Sequence, residues 1–151
     1  MTDNTLESSW HEVDLPLDRL VTEGKVSGCI VALPENEHPP LRWAGLIDWR
    51  THGLISQSIK EGIFRGSIGE CGYLLWNHHH NTIHILTVGL GEISSLGSRG
   101  HIPQHSTQAL IKNLKSMGQV SWALSSAEFS QETCNTILQN IPKGGRLWVT
   151  T

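Results

Sequence analysis

Most of the features that mark a specialised protein class are missing from this chain. No uninterrupted apolar run approaches the roughly 20 residues that a bilayer-spanning helix needs, and the polar, acidic N-terminus has neither the basic nor the apolar region of a signal peptide. A cytoplasmic protein with no membrane partner is the resulting expectation. Cysteine is scarce: Cys29, Cys71 and Cys134 are odd in number, far apart and without a CxxC pair, which argues against a zinc knuckle and a disulfide framework alike. Cys29 and Cys71 lie in apolar runs, a setting that raises a thiol pKa and makes the sulfur inert. Charge is thin as well. The net charge is −3 and the eleven Lys and Arg residues are scattered from Arg19 to Arg146. Non-specific affinity for nucleic acid comes mainly from clustered Lys and Arg neutralising phosphates, so no nucleic-acid partner is expected. No Gly-x-Ser-x-Gly elbow marks a nucleophile, and there is no internal repeat or low-complexity segment.

What is present is 151 residues with 38% hydrophobic content, enough to bury the core of a single domain spanning 1–151, with residues 1–9 loose. The segment 44–61 has helical periodicity: Ile47, Leu54, Ile55 and Ile59 share one apolar arc. It reads as one helix with Asp48 near its start, where a carboxylate is favoured, and with Gly62 at its end. Gly53 inside that pattern costs about 1 kcal/mol relative to alanine. A steric reason is therefore expected, either the Trp49 indole lying over it or another element packed close.

Cys29–Leu33 reads as a buried strand, followed by a loop closed by Pro39 and Pro40. Residues 70–76 and 82–90 read as an antiparallel hairpin joined by 77–81. Trp10–Leu17 allows an edge strand, interrupted by Pro16. Helices are expected at 107–117 and 130–140, the latter with Ser130 as N-cap, and strands at 120–124 and 146–150. Alternating strands and helices imply an α/β fold, a three-layer α/β/α sandwich around a mixed, mostly parallel sheet.

The run Asp48-Trp49-Arg50-x-x-Gly53-x-Ile55-Ser56-x-x-Ile59-x-x-Gly62-x-Phe64-x-Gly66-x-x-Gly69-Glu70, with Val88-Gly89-Leu90-Gly91 downstream, resembles the N-terminal domain of leucyl (cytosol) aminopeptidases. The resemblance covers roughly 45 residues closely. It implies a macrodomain-like fold and a domain that sits beside the catalytic domain of a hexameric enzyme, contributing to DNA binding in some members. The family's two-metal domain and its Asn-Thr-Asp-Ala-Glu-Gly-Arg motif have no counterpart here. The chain is thus expected to be non-catalytic, either a stand-alone relative or one part of a two-metal aminopeptidase, and no catalytic residue carries over.

Three candidate sites follow. His78, His79, His80 and His84 are a dense group of imidazoles, but neighbours on an extended chain point to opposite sides. His78 and His80 are the pair that could share an ion, against the simpler expectation of a solvated polar turn; no metal or other cofactor is assigned. Gly89, Leu90 and Gly91 follow a strand and form a candidate ligand loop, with turn geometry as the alternative. The macrodomain-like fold that the resemblance implies gives a second reading of function, a small-molecule or nucleotide-binding module, although the Asn-Ala-Ala-Asn segment and glycine-rich diphosphate loop of macrodomains are absent. The first reading is a protein–protein assembly or regulatory domain. Trp43, Trp49, Arg50 and Gly53 form its candidate interface, toward a second copy in a homo-oligomer or toward an aminopeptidase catalytic domain.

Overall fold

The computed structural model describes residues 11–13, 26–78, 81–93 and 102–150, together with Arg19 and Gly24. Six strands form one sheet in the order β1-β6-β5-β2-β4-β3. They are β1 (His11–Val13), β2 (Gly28–Pro34), β3 (Cys71–His78), β4 (Asn81–Gly91), β5 (Ser121–Ser125) and β6 (Arg146–Thr150). All neighbours run parallel except the β3–β4 hairpin. The four helices are α1 (Arg42–Arg50), α2 (Leu54–Lys60), α3 (Gln104–Ser116) and α4 (Gln131–Asn140).

Strand alternation separates two cores. Cys29, Val31 and Leu33 of β2 face Ala44 and Ile47 of α1 and Ile55 of α2. Ile30 and Ala32 face the other way, toward Leu110 and Leu114 of α3 and Cys134 and Ile137 of α4. A strand that must be apolar on both faces is what β2 and β4 show, and the three-layer α/β/α sandwich with a mixed, mostly parallel sheet follows. No described helix is long and apolar enough to cross a membrane. Burial pushes the Cys29 thiol up to about 12, and burial together with the Glu70 carboxylate does the same to Cys71.

The expected single helix over 44–61 is two helices. α1 stops at Arg50 and α2 begins at Leu54, with His52 at φ 56° and Gly53 at φ 82° between them. Asp48 is the reason the break is stable. Its carboxylate accepts from the amide of Ser56 at 2.9 Å and from the Ser56 hydroxyl, so it caps the first turn of α2 rather than its own helix. Gly53 also differs from expectation. A Cβ there would meet nothing within 4 Å, so neither Trp49 nor another element requires it. The left-handed backbone does. α3 begins three residues before the expected 107, and the hairpin strands are longer than expected, 71–78 and 81–91. Ser130 caps α4 as expected, accepting from the Thr133 amide.

On the α3/α4 face of the hairpin, His84 stacks on Tyr73, with the Tyr73 hydroxyl 2.8 Å from Nδ1. Burial pushes the imidazole pKa down, so the folded state favours neutral His84. The unfolded chain then binds more protons below the ordinary imidazole pKa of about 6.5. Stability contributed by neutral His84 is full above that pH and declines as the pH falls from it toward the lowered folded-state value. In urea titrations at a series of pH values, wild type should lose more stability between neutral and mildly acidic pH than His84→Gln does. Parallel curves for the two proteins would contradict this.

Candidate functional site at the carboxyl ends of the parallel strands

The segment between α2 and β3 closes one half of the strand ends. Phe64 is 1% exposed and anchors it in the α1/α2 core. Gly66, at φ 90°, then passes so close to β2 that a Cβ would lie 2.6 Å from the Leu33 carbonyl oxygen. The Glu70 carboxylate ties the loop by accepting from the amides of Arg65 (2.7 Å) and Gly66 (2.6 Å). Ser106 of α3 fastens its far side, accepting from the Gly69 amide and donating to the Gly89 carbonyl. The Phe-x-Gly-x-x-Gly-Glu pattern is therefore a closure over β2 and β4.

That closure occupies the candidate ligand loop. The Gly89 amide donates to the Glu70 carbonyl at 2.9 Å, the Gly91 amide to the Gly66 carbonyl at 2.8 Å, and the Gly91 carbonyl accepts from Glu35. Leu90 is buried among the residues of the α3/α4 core. Two amides that would have to point at an anion are already engaged.

The other half of the strand ends is open. From β2 the chain leaves toward β3 and β4, and from β5 it leaves toward β6 on the opposite side. Adjacent strands whose connections diverge leave a crevice beyond their carboxyl ends. A cleft of about 320 Å³ lies there, lined by Arg42, Trp43 and Leu46 at the start of α1 and by Ala127 and Glu128 in the turn after β5. Glu128 is 2% exposed, and its Oε1 accepts from the Ala32 amide of β2 at 3.4 Å. Arg42 is exposed and holds φ 55°, a region few residues with a Cβ occupy. Trp43 is half-buried, packs against the core and lines the cleft. Arg42, Trp43 and the buried Glu128 thus line one concavity. A second concavity of about 510 Å³, with His52, Ser56, Lys60 and Trp76 among its walls, lies at the break between α1 and α2.

The expected interface residues do not form one patch. Trp43 and Trp49 are six positions apart on α1, roughly 120° around its axis. Trp49 is 70% exposed, with the Arg50 guanidinium carbon 4.8 Å from its ring centroid. Gly53 sits in the helix break beyond them. His78 pairs with Asn81 at the end of the hairpin. Its side chain, like the whole of His79 and His80, lies outside the described residues, as do Trp10 and residues 1–9. Among the described residues, no three His, Cys, Asp or Glu side chains converge as a metal site would require.

No protein-family model and no curated protein sequence matches the chain. Solved structures do resemble it. The macrodomain of Thermus aquaticus DarG superposes with a TM-score of 0.62 at 12% identity, over 95% of this chain and 98% of that one. The macrodomain of Mycobacterium tuberculosis DarG gives 0.61 at 11% identity, over 95% and 99%. The fold is macrodomain-like. A tomato leucine aminopeptidase carrying the K354E substitution gives 0.59 at 17% identity, over 95% of this chain but 32% of that one. This chain therefore spans about a third of that enzyme's length, and at these identities the likeness to all three is one of fold.

Arg42 and Glu128 went unassigned as site residues in the sequence. They are 86 positions apart and belong to no motif, and only the strand order brings them together. The available signal was a carboxylate directly before Phe129, in the short turn that follows a buried strand.

Proposed function

We propose that this chain is a binding module for a small nucleotide-like molecule, held in the cleft between the ends of β2 and β5. The observation that carries the reading is the convergence of Arg42, Trp43 and the buried Glu128 at the point where the strand connections diverge. Arg42 supplies a guanidinium for a phosphate or carboxylate. The Trp43 face offers a stacking surface for a base. The Glu128 carboxylate is suited to accept from a ribose hydroxyl or an exocyclic amine. A cleft of about 320 Å³ is at the small end of ligand sites, about 300–1,000 Å³, so a nucleoside or mononucleotide suits it better than a dinucleotide. The strained backbone of Arg42 fits a residue held in place for contact rather than for helix geometry.

Calorimetry with adenosine, AMP, ADP and ADP-ribose tests this. Micromolar binding of at least one is expected, with Trp43→Ala weakening it by roughly 1–3 kcal/mol and Arg42→Ala selectively weakening the phosphorylated ligands. Absence of binding by all four up to millimolar concentration would remove the reading.

A second reading is supported by Trp49, whose exposed indole carries Arg50 against it. Here the chain is a non-catalytic assembly domain of the kind that the aminopeptidase resemblance implies, docking on another protein through α1. On either reading the chain by itself is expected to show no aminopeptidase activity with Mn²⁺ or Zn²⁺, because paired-metal hydrolysis needs carboxylates converging on two ions about 4 Å apart.

A further inference from the structure

The two edges of the sheet are built differently. β1 is three residues long, whereas β3 has eight: Cys71-Gly-Tyr-Leu-Leu-Trp-Asn-His78. Edge strands are normally kept apart by shortness, charge, proline or a covering element. β3 carries no Asp, Glu, Lys, Arg or Pro. Among the described residues, no strand pairs with its outer side. Tyr73 and Leu75 are 43% and 44% exposed, on the same face of that strand.

We infer that β3 is a self-pairing edge, and that its partner is the β3 strand of a second copy of this chain. The register supplies the argument. The Gly72 amide donates to Thr87 Oγ1 and the Glu70 carbonyl accepts from Gly89, both toward β4. Because backbone groups alternate along an antiparallel ladder, the amides and carbonyls of Cys71, Tyr73, Leu75 and Asn77 point outward. A two-fold axis perpendicular to the sheet, midway between Leu74 and its copy, sets Tyr73 opposite Leu75 of the second copy and Cys71 opposite its Asn77. All four outward-pointing positions then meet their counterparts, allowing roughly eight hydrogen bonds. The same operation gathers two Tyr73 and two Leu75 side chains into one apolar cluster, and sets bare Gly72 opposite Trp76, where space is needed. With no charge on the strand, the two copies approach without like-charge repulsion. The product is a continuous twelve-stranded sheet with closed two-fold symmetry.

Light scattering of the whole chain from micromolar to millimolar concentration tests this. The mass should rise from 16.7 kDa toward twice that value. Tyr73→Lys and Leu75→Lys place a charge on an exposed edge position outside either core, and each should hold the mass at the monomer value; Leu75→Lys, which leaves the Tyr73–His84 contact in place, should also retain the melting curve of the monomer. Trp49→Ala should leave the dimer unchanged. In hydrogen exchange, the amides of Tyr73, Leu75 and Asn77 should gain protection with concentration while Gly72 and Leu74 do not. A monomer at every concentration overturns the inference. So does a dimer that survives both lysine variants, or one lost on Trp49→Ala alone.

Discussion

Gly66→Ala should lower the stability of the domain by about 2–5 kcal/mol, the sum of two independent effects. The first is conformational: at φ 90°, an L-residue with a Cβ is disfavoured by roughly 1–2 kcal/mol. The second is steric. The new methyl would lie 2.6 Å from the Leu33 carbonyl oxygen and 3.0 Å from the Pro34 backbone, and overpacking of that kind typically costs about 1–3 kcal/mol. Neither obstacle is a flexible side-chain end, so the loop itself must lift from β2. For a chain of this size the melting temperature should then fall by roughly 5–15 °C. Gly62→Ala is the internal control, with φ 77° and nothing within 4 Å of a Cβ, so it should show the conformational part alone. Gly89→Ala is the converse. Its methyl would run into the Ser67 carbonyl without help from a positive φ, and it should show the steric part alone. Thermal melts of the three variants decide the matter. A Gly66→Ala protein no less stable than Gly62→Ala would mean that the loop does not press on β2.

Much of the fold was legible because both faces of β2 and β4 had to be apolar, and apolar runs of six to eight residues alternating with helical periodicity have few other solutions. The break between α1 and α2 was not legible. Ile47, Leu54, Ile55 and Ile59 all join or pack against the same core across it, so the apolar pattern continues where the backbone does not. The carboxylate that makes the break possible, Asp48, reads equally well as a favourable charge at a single helix's start. Gly53 could be identified as necessary but not for the right reason, because a glycine required by φ and a glycine required by packing are the same letter.

The site was legible only through topology. The glycine pattern around Gly62, Gly66 and Gly69 drew attention, and it is what holds the closure over β2 and β4. The open crevice is lined instead by residues whose types are unremarkable where they stand: an arginine after a proline loop, a tryptophan beside it and a glutamate before a phenylalanine. Strand order was needed to see them as neighbours, since a crevice forms where connections leave adjacent strands in opposite directions. Trp43 stands in the sequence as a candidate interface residue, because tryptophan is enriched at interface hot spots. It lies partly against the core and partly on the cleft, which explains why its position matched neither a buried nor a solvated stripe.

Phe64→Ala should be the most damaging single truncation in the α1/α2 core, at about 3–5 kcal/mol, the usual range for deleting a buried phenylalanine ring. Against a total stability of about 5–15 kcal/mol, that is enough to leave a measurable unfolded fraction at ambient temperature. The ring also has a particular partner. Gly72 of β3 has no side chain because the Phe64 ring occupies the space where its Cβ would be, with Thr87 Oγ1 on the other side at 2.5 Å. Gly72→Ala alone should therefore destabilise by about 1–3 kcal/mol through overpacking. In the Phe64→Ala background the ring is gone and Thr87 Oγ1 is the remaining obstacle, so the same alanine should cost clearly less. A double-mutant cycle read by urea denaturation should thus give a coupling of roughly 0.5–2 kcal/mol, with the double variant more stable than the sum of the single effects. Phe64→Leu, which keeps most of the volume, should retain the two-state melt if the alanine variant proves too unstable to measure. Additive effects in the cycle would show that the ring does not sit on Gly72, and the anchoring of the 62–70 closure by Phe64 would have to be abandoned with it.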